Sequence, residues 1–145
     1  MEENHLGEQP LQIEEYPDPD DLDYLEEQLD DYNITTTGYP FDGEVVAFVR
    51  DPEGTVIAGI SGWAWGGVLR IQYLWVHEDW RRQHLGTRLL QAAEEEGSRR
   101  GCRQVSLDTY SFQALSFYQK LGYEVFGMLN NDPIGHQHYY LRKQL

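Results

Sequence analysis

The chain has 145 residues, of which 40% are hydrophobic and 13% aromatic, and a formal net charge of −14. That length suits one domain with one sizeable core, and no apolar run nears the ~18 residues a membrane span needs. The negative charge argues against nucleic acid as a direct ligand, and a polar, acidic start from Met1 to Pro10 resembles neither a signal nor a transit peptide, so a cytoplasmic protein with no membrane association is expected.

The charge is concentrated. Residues 1–31 hold 13 Asp and Glu with no Lys or Arg, whereas the remainder holds 12 acids against 11 bases. A solvated, solubilising tail and helix face is the plainer reading, and an acidic rim that attracts a cationic substrate is the alternative. Residues 1–10 are expected to be a poorly ordered tail. A first strand is expected over Leu11–Tyr16, ended by Pro17-Asp18-Pro19. Asp20-Asp21 then offers an N-cap and acidic first turn for a helix carrying Leu22, Leu25 and Leu29, which fades near Thr35-Thr36-Thr37-Gly38.

Three strand-like runs follow. Glu44–Asp51 contains Val45-Val46-Ala47-Phe48-Val49, and Asp51-Pro52-Glu53-Gly54 has the residues of a tight turn. Thr55–Trp65 turns at Gly66-Gly67 into Val68–His77, completing an antiparallel meander. A helical stripe of Leu85, Leu89, Ala92 and Ala93 comes next, with Arg88, Gln91, Glu94 and Glu95 facing away and Gly101 as a stop. Gln104–Thr109 alternates as a strand, Phe112–Leu121 reads as a short helix closed by Gly122, and Tyr123–Met128 and His138–Lys143 are the last strands. The order β-α-β-β-β-α-β-α-β-β predicts an α/β (α+β mixed) fold, a central mixed sheet flanked by helices. Cys102, the one cysteine, reads as a small buried residue, since nothing local nominates a base for it.

The chemistry concentrates in Leu74-Trp75-Val76-His77-Glu78-Asp79-Trp80-Arg81-Arg82-Gln83-His84-Leu85-Gly86-Thr87-Arg88. A strand runs into a basic turn that opens an amphipathic helix. First-turn amides have no intrahelical acceptor and the helix dipole adds positive charge there. Gly86 permits close approach to the backbone, and Arg81, Arg82 and Arg88 add cations. The pattern suggests a phosphate or pyrophosphate cradle.

The stretch Arg81–Gly86 resembles the acetyl-CoA signature of the GNAT superfamily, Gln/Arg-x-x-Gly-x-Gly/Ala, with His84 at the position usually held by glycine. A residue with negative φ could still present its amide there. Phe117-Tyr118-Gln119-Lys120-Leu121-Gly122-Tyr123 resembles that family's Phe-Tyr-x-x-x-Gly-Phe/Tyr segment. Gly135–Lys143 resembles the ending of a subgroup of small bacterial members. The resemblance covers roughly residues 44–145 and implies a mostly antiparallel GNAT sheet, a GNAT N-acetyltransferase domain over residues 11–145, and transfer of acetyl from acetyl-CoA to an amine.

The same resemblance implies a pantetheine arm laid along Leu74-Trp75-Val76, with an amide near Val76 polarising the thioester carbonyl. It also implies pyrophosphate on the amides from Gln83 to Arg88 (Gln83, His84, Leu85, Gly86, Thr87, Arg88), with Arg81 and Arg82 adding charge and Gln113 and Phe117 touching the cofactor. Tyr118 is the implied general acid, since a phenol stays protonated at neutral pH. Glu78, Asp108 and His138 are the base candidates. His136 and His138 share a face if extended, yet two histidines without a third ligand make no convincing metal site, and no metal is expected. Trp63 and Trp65 share a face and are candidates for lining the acceptor cleft. The expected partner is a small-molecule or peptide amine, drawn in by the acidic N-terminal helix that lies near the acceptor side in this family, and a homodimer is implied only by the relatives' habit. A catalytically silent CoA-binding module and an unrelated phosphate-binding protein are the competing readings.

Overall fold

The computed structural model describes residues 3–145. Met1 and Glu2, part of the expected tail, lie outside the described residues, and residues 3–10 form neither helix nor strand. The chain divides into two compact units, residues 1–38 and 39–145.

The first unit holds one helix, α1, over Pro19–Thr37. Its N-cap is Asp18, two residues earlier than the first of the expected pair Asp20-Asp21. The Asp18 carboxylate accepts from the Asp20 amide at 2.9 Å, Pro19 sits at the first helical position where its missing N–H costs nothing, and Asp20 and Asp21 supply the acidic first turn. Gly38 ends the helix in the left-handed region at φ 76°. The strand expected over Leu11–Tyr16 does not form. A strand needs a ladder partner, and Leu11 and Ile13 remain 96% and 95% exposed without one.

The second unit is a six-stranded sheet in the order β1-β2-β3-β4-β6-β5. Its strands are β1 (Phe41–Arg50), β2 (Val56–Trp65), β3 (Val68–Val76), β4 (Gln104–Tyr110), β5 (Glu124–Asn130) and β6 (Gln137–Gln144). Two helices complete it, α2 (Leu85–Arg99) and α3 (Leu115–Lys120). Every neighbouring pair is antiparallel except β3 with β4. The meander is as the turns predict: Asp51 Oδ1 accepts from the Glu53 and Thr55 amides, and Gly66-Gly67 takes positive φ at both positions, as the right-handed twist of a hairpin requires.

The core lies between the sheet and α2, with Ile60, Leu69, Leu90, Val105 and Leu141 almost wholly buried. The α2 stripe differs from the expected one at two places. Leu90 is buried in place of Ala92. Glu94, expected to face solvent, is 8% exposed. Its carboxylate accepts from Lys143 Nζ on β6 at 2.7 Å, and Lys143 in turn lies 5.6 Å from the centre of the Tyr123 ring. A buried carboxylate requires such a partner, and a stripe read from one helix cannot foresee a lysine 49 residues away. Cys102 is buried, and burial first, then Asp42, pushes its thiol pKa up, which makes it a poor nucleophile.

Two features separate β3 from β4. The parallel pairing covers only Val68↔Gln104, Leu69↔Val105 and Arg70↔Ser106. Beyond it β3 continues on β2 to Val76↔Ala58, while β4 continues on β6 to Tyr110↔His138. The register of β2 against β3 slips between Ser61↔Tyr73 and Gly62↔Ile71, leaving Gln72 as the extra residue of a bulge, and a bulge bends the strand that carries it. Gly62 is required opposite this bend, because a Cβ there would stand 2.2 Å from the Arg70 carbonyl oxygen. Gly62→Ala should therefore destabilise the protein by roughly 3 kcal/mol or more, beyond ordinary overpacking because the obstacle is backbone. Urea unfolding with an unchanged m-value is the check.

Candidate active site

The parting of β3 and β4 leaves a wedge, and a cavity of about 880 Å³ fills it. One wall is the free edge of β3 from Ile71 to Val76, including Leu74, Trp75 and Val76. The other comprises Leu107, Asp108 and Thr109 of β4, and the turn and helix that follow add Phe112, Gln113, Phe117 and Tyr118. The start of α2 closes one end with Arg81, Arg82, His84, Leu85, Gly86 and Thr87. Since β3 has β2 on one side only beyond Arg70, alternate amides and carbonyls on its other side are open to an extended ligand.

The α2 entrance is built to hold an anion. The first helical bond runs from the Arg88 amide to the His84 carbonyl at 3.0 Å. The amides of Leu85, Gly86 and Thr87 precede it and have no intrahelical acceptor, while the Arg88 amide is spent inside the helix. His84, the N-cap residue, makes no side-chain cap and the first turn contains no acid, whereas α1 has both. His84 does not take the negative φ expected of it: it sits in the left-handed region at φ 61°, with Arg82 at φ 65°. The loop thus keeps a shape glycine adopts readily, with a residue that pays conformational energy for it. Arg81 is partly committed, its Nε donating to the Val76 carbonyl at 3.1 Å and tying the end of β3 to the turn. Gly86 lies against the Phe117 ring, where a Cβ would make ordinary van der Waals contact at 3.4 Å.

The other wall carries the candidate acid-base groups. Tyr118 is 7% exposed and borders the cavity. Burial chiefly, and the charge of Asp108 second, push its pKa up to about 12, so its proton is firmly held at any working pH. Gln113 places its carboxamide oxygen on the Tyr110 amide at 2.9 Å and on the Thr109 hydroxyl at 3.2 Å. This bonding explains why α3 begins at Leu115 and not at Phe112. Asp108 borders the cavity, and its Oδ2 lies 2.6 Å from His138 Nε2. His138 itself stands behind Asp108 and outside the cavity wall, as do Glu78, on a single exposed 3₁₀ turn, and Gln83 and Arg88. Trp75 and Trp80 line the wedge, while Trp63 and Trp65 do not. Trp65 Nε1 donates to the Tyr39 carbonyl at 2.9 Å.

Sequence reasoning missed Asp132, whose Oδ2 is 2.8 Å from His138 Nδ1. Its only local signal is the turn composition Asn130-Asn131-Asp132-Pro133, which reads as a loop. His136 packs edge-on against Phe112, with ring centres 4.9 Å apart, and does not join His138 at a common ligand. Among the described residues no group of three or more His, Cys, Asp or Glu is arranged to hold a metal ion.

Residues 4–123 match the model of the acetyltransferase (GNAT) family. An acetyltransferase from Agrobacterium fabrum is 31% identical over 113 residues, covering 78% of this chain and 82% of that protein. Blasticidin-S acetyltransferase from Streptomyces morookaense is 33% identical over 96 residues, covering 63% of this chain and 68% of that protein. The crystal structure of an acetyltransferase from Bacillus cereus superposes with a TM-score of 0.77 at 30% identity, covering 92% of this chain and 98% of that one.

His84→Gly should stabilise the fold by roughly 0.5–1 kcal/mol, the relief of a left-handed residue less the entropy glycine adds to the unfolded chain. Chemical denaturation measures it, and no gain would mean that the His84 side chain offsets its backbone strain.

Proposed function

Because the chain belongs to the GNAT acetyltransferase family, we propose that it moves the acetyl group of acetyl-CoA directly to the primary amine of a small cationic acceptor. The observation that carries this reading is the wedge itself, with an uncapped helix start and arginines at one end and a carboxylate and a buried phenol on its other wall. The pyrophosphate rests on the Leu85, Gly86 and Thr87 amides beside Arg82. The pantetheine arm continues along the free edge of β3, and an amide near Val76 polarises the thioester carbonyl. Phe117 and the amide nitrogen of Gln113 flank the arm.

The acceptor binds as an ammonium ion against Asp108, which takes its proton, directly or through water. The free amine attacks the carbonyl carbon, a tetrahedral oxyanion forms on the β3 amide, and the C–S bond breaks as it collapses. The departing thiolate is a weaker base than the Tyr118 phenolate. Tyr118 therefore stabilises it chiefly by donating a hydrogen bond, and the second proton, lost from the attacking nitrogen as the neutral amide forms, passes to the sulfur so that CoA leaves as the thiol. Of the three base candidates Asp108 alone borders the cavity. The relative named blasticidin-S acetyltransferase supports a small-molecule acceptor. The silent CoA-binding alternative rests on the loss of glycine at position 84, and the left-handed His84 removes most of its force.

Free-thiol release from acetyl-CoA, followed across a panel of amines, tests the proposal. Tyr118→Phe should lower kcat by about 100-fold or more while acetyl-CoA affinity by calorimetry stays within about threefold, since the lost hydroxyl acts on the departing sulfur. Acetyl-CoA binding without thiol release on any amine would contradict the transferase reading.

A further inference from the structure

His138 faces a carboxylate oxygen at each ring nitrogen, Asp108 Oδ2 at Nε2 and Asp132 Oδ2 at Nδ1. Carboxylates only accept, so a ring satisfied at both ends must donate from both, which only the imidazolium can do. The ring has little freedom to choose otherwise. It is 8% exposed, stacks on Tyr110 with centres 4.3 Å apart, and has the Tyr140 ring 4.6 Å away on its own strand. The Tyr140 hydroxyl reaches Nδ1 at 3.3 Å. These groups, from β4, β6 and the loop before β6, are the titratable ones that meet the ring. Burial works to lower the His138 pKa, and the two carboxylates outweigh it, leaving it above its ordinary value.

The loop that carries Asp132 is held by its own bonds. The Asp132 amide donates to the His136 carbonyl at 3.2 Å and the Gly135 amide to Asn131 Oδ1 at 3.2 Å. Asp132 thus offers Nδ1 a carboxylate acceptor held in place. With Nδ1 taken, the Nε2 hydrogen points at Asp108 Oδ2 and ties down one oxygen of a side chain that is otherwise 46% exposed. The other oxygen is left for a ligand in the wedge.

We infer that Asp132 is a positioning residue for acetyl transfer, acting through His138 to orient the Asp108 carboxylate that receives the acceptor ammonium. This rests on the acetyl-transfer reading of the cavity. Asp132 touches neither substrate nor acetyl-CoA in this arrangement, so its removal acts on the acceptor side alone.

Asp132→Asn keeps the shape and can still fill Nδ1 with its amide, but removes the counter-charge. In an NMR titration of the histidine ring signals, His138 should lose its proton about one pH unit lower than in the wild type, as expected for an imidazolium that has lost a carboxylate partner. The kcat/KM for the best amine of the panel should fall about tenfold, the size of effect seen when the group behind a reactive residue is removed. The KM for acetyl-CoA should stay unchanged, and Asp132→Glu should restore part of the loss. Unaltered His138 titration and unaltered kcat/KM would overturn the inference while leaving the transferase standing. A KM for acetyl-CoA that rises along with the loss toward the amine would make Asp132 a merely structural residue, which also overturns it. A wild-type chain that releases thiol with no amine fails at the earlier step, as the transferase reading itself.

Discussion

The separation of β3 from β4 is the constraint on which the rest depends. Two adjacent parallel strands lose their mutual hydrogen bonds after three residue pairs, and each keeps only its outer neighbour. Such a loss of pairing is unfavourable in a buried sheet, and the fold limits it to one place. The bulge at Gln72 bends β3 away, Gly62 makes room for the bend, and the remaining β3 edge faces a cavity that an extended ligand can fill. The sheet is thus left incomplete along the edge where the proposed function lays the pantetheine arm as the missing strand. The strands on either side, anchored by Ile60, Leu69, Val105 and Leu141, hold the opening at a set width.

The electrostatics of the wedge follow from what its two walls leave unsatisfied. The helix start at α2 lacks the side-chain acceptor and the acids that complete α1, so its amides and dipole remain for an external anion. On the other wall, Asp108 presents a carboxylate within hydrogen-bond distance of the buried His138 ring, beside a phenol whose proton is secured by burial. In the proposed reaction a donor with a charged pyrophosphate and an acceptor with an ammonium group are drawn to different parts of one cavity, with the proposed thioester position between them, beside the β3 edge and Tyr118.

Much of this was legible in the chain. The basic turn before an amphipathic helix, the alternating β4 and the hairpin turns each rest on local chemistry, which a sequence displays, whereas the Phe117-Tyr118 segment is legible through its resemblance to the GNAT family. Asp108 is one of three base candidates in the sequence, and only the cavity wall separates it from Glu78 and His138. What stayed hidden depends on partners far along the chain. Glu94 looks solvent-facing until Lys143 is known to reach it. Asp132 looks like turn composition until β6 brings His138 alongside. Trp63 and Trp65 share a face, but which face lines the wedge is decided by the strand order and not by their spacing. Leu11–Tyr16 has strand-like residues and no ladder to join, and His84 adopts a glycine-like backbone that no residue preference would suggest.

The central claim, that the opened β3 edge and the uncapped start of α2 form one continuous CoA site, is tested most directly by titrating isotope-labelled protein with coenzyme A and following backbone amide resonances. The account predicts that the largest shifts fall together on Leu74–Val76 and on Leu85–Thr87, saturating with one affinity. Shifts confined to one of these segments, or centred elsewhere on the chain, would contradict it.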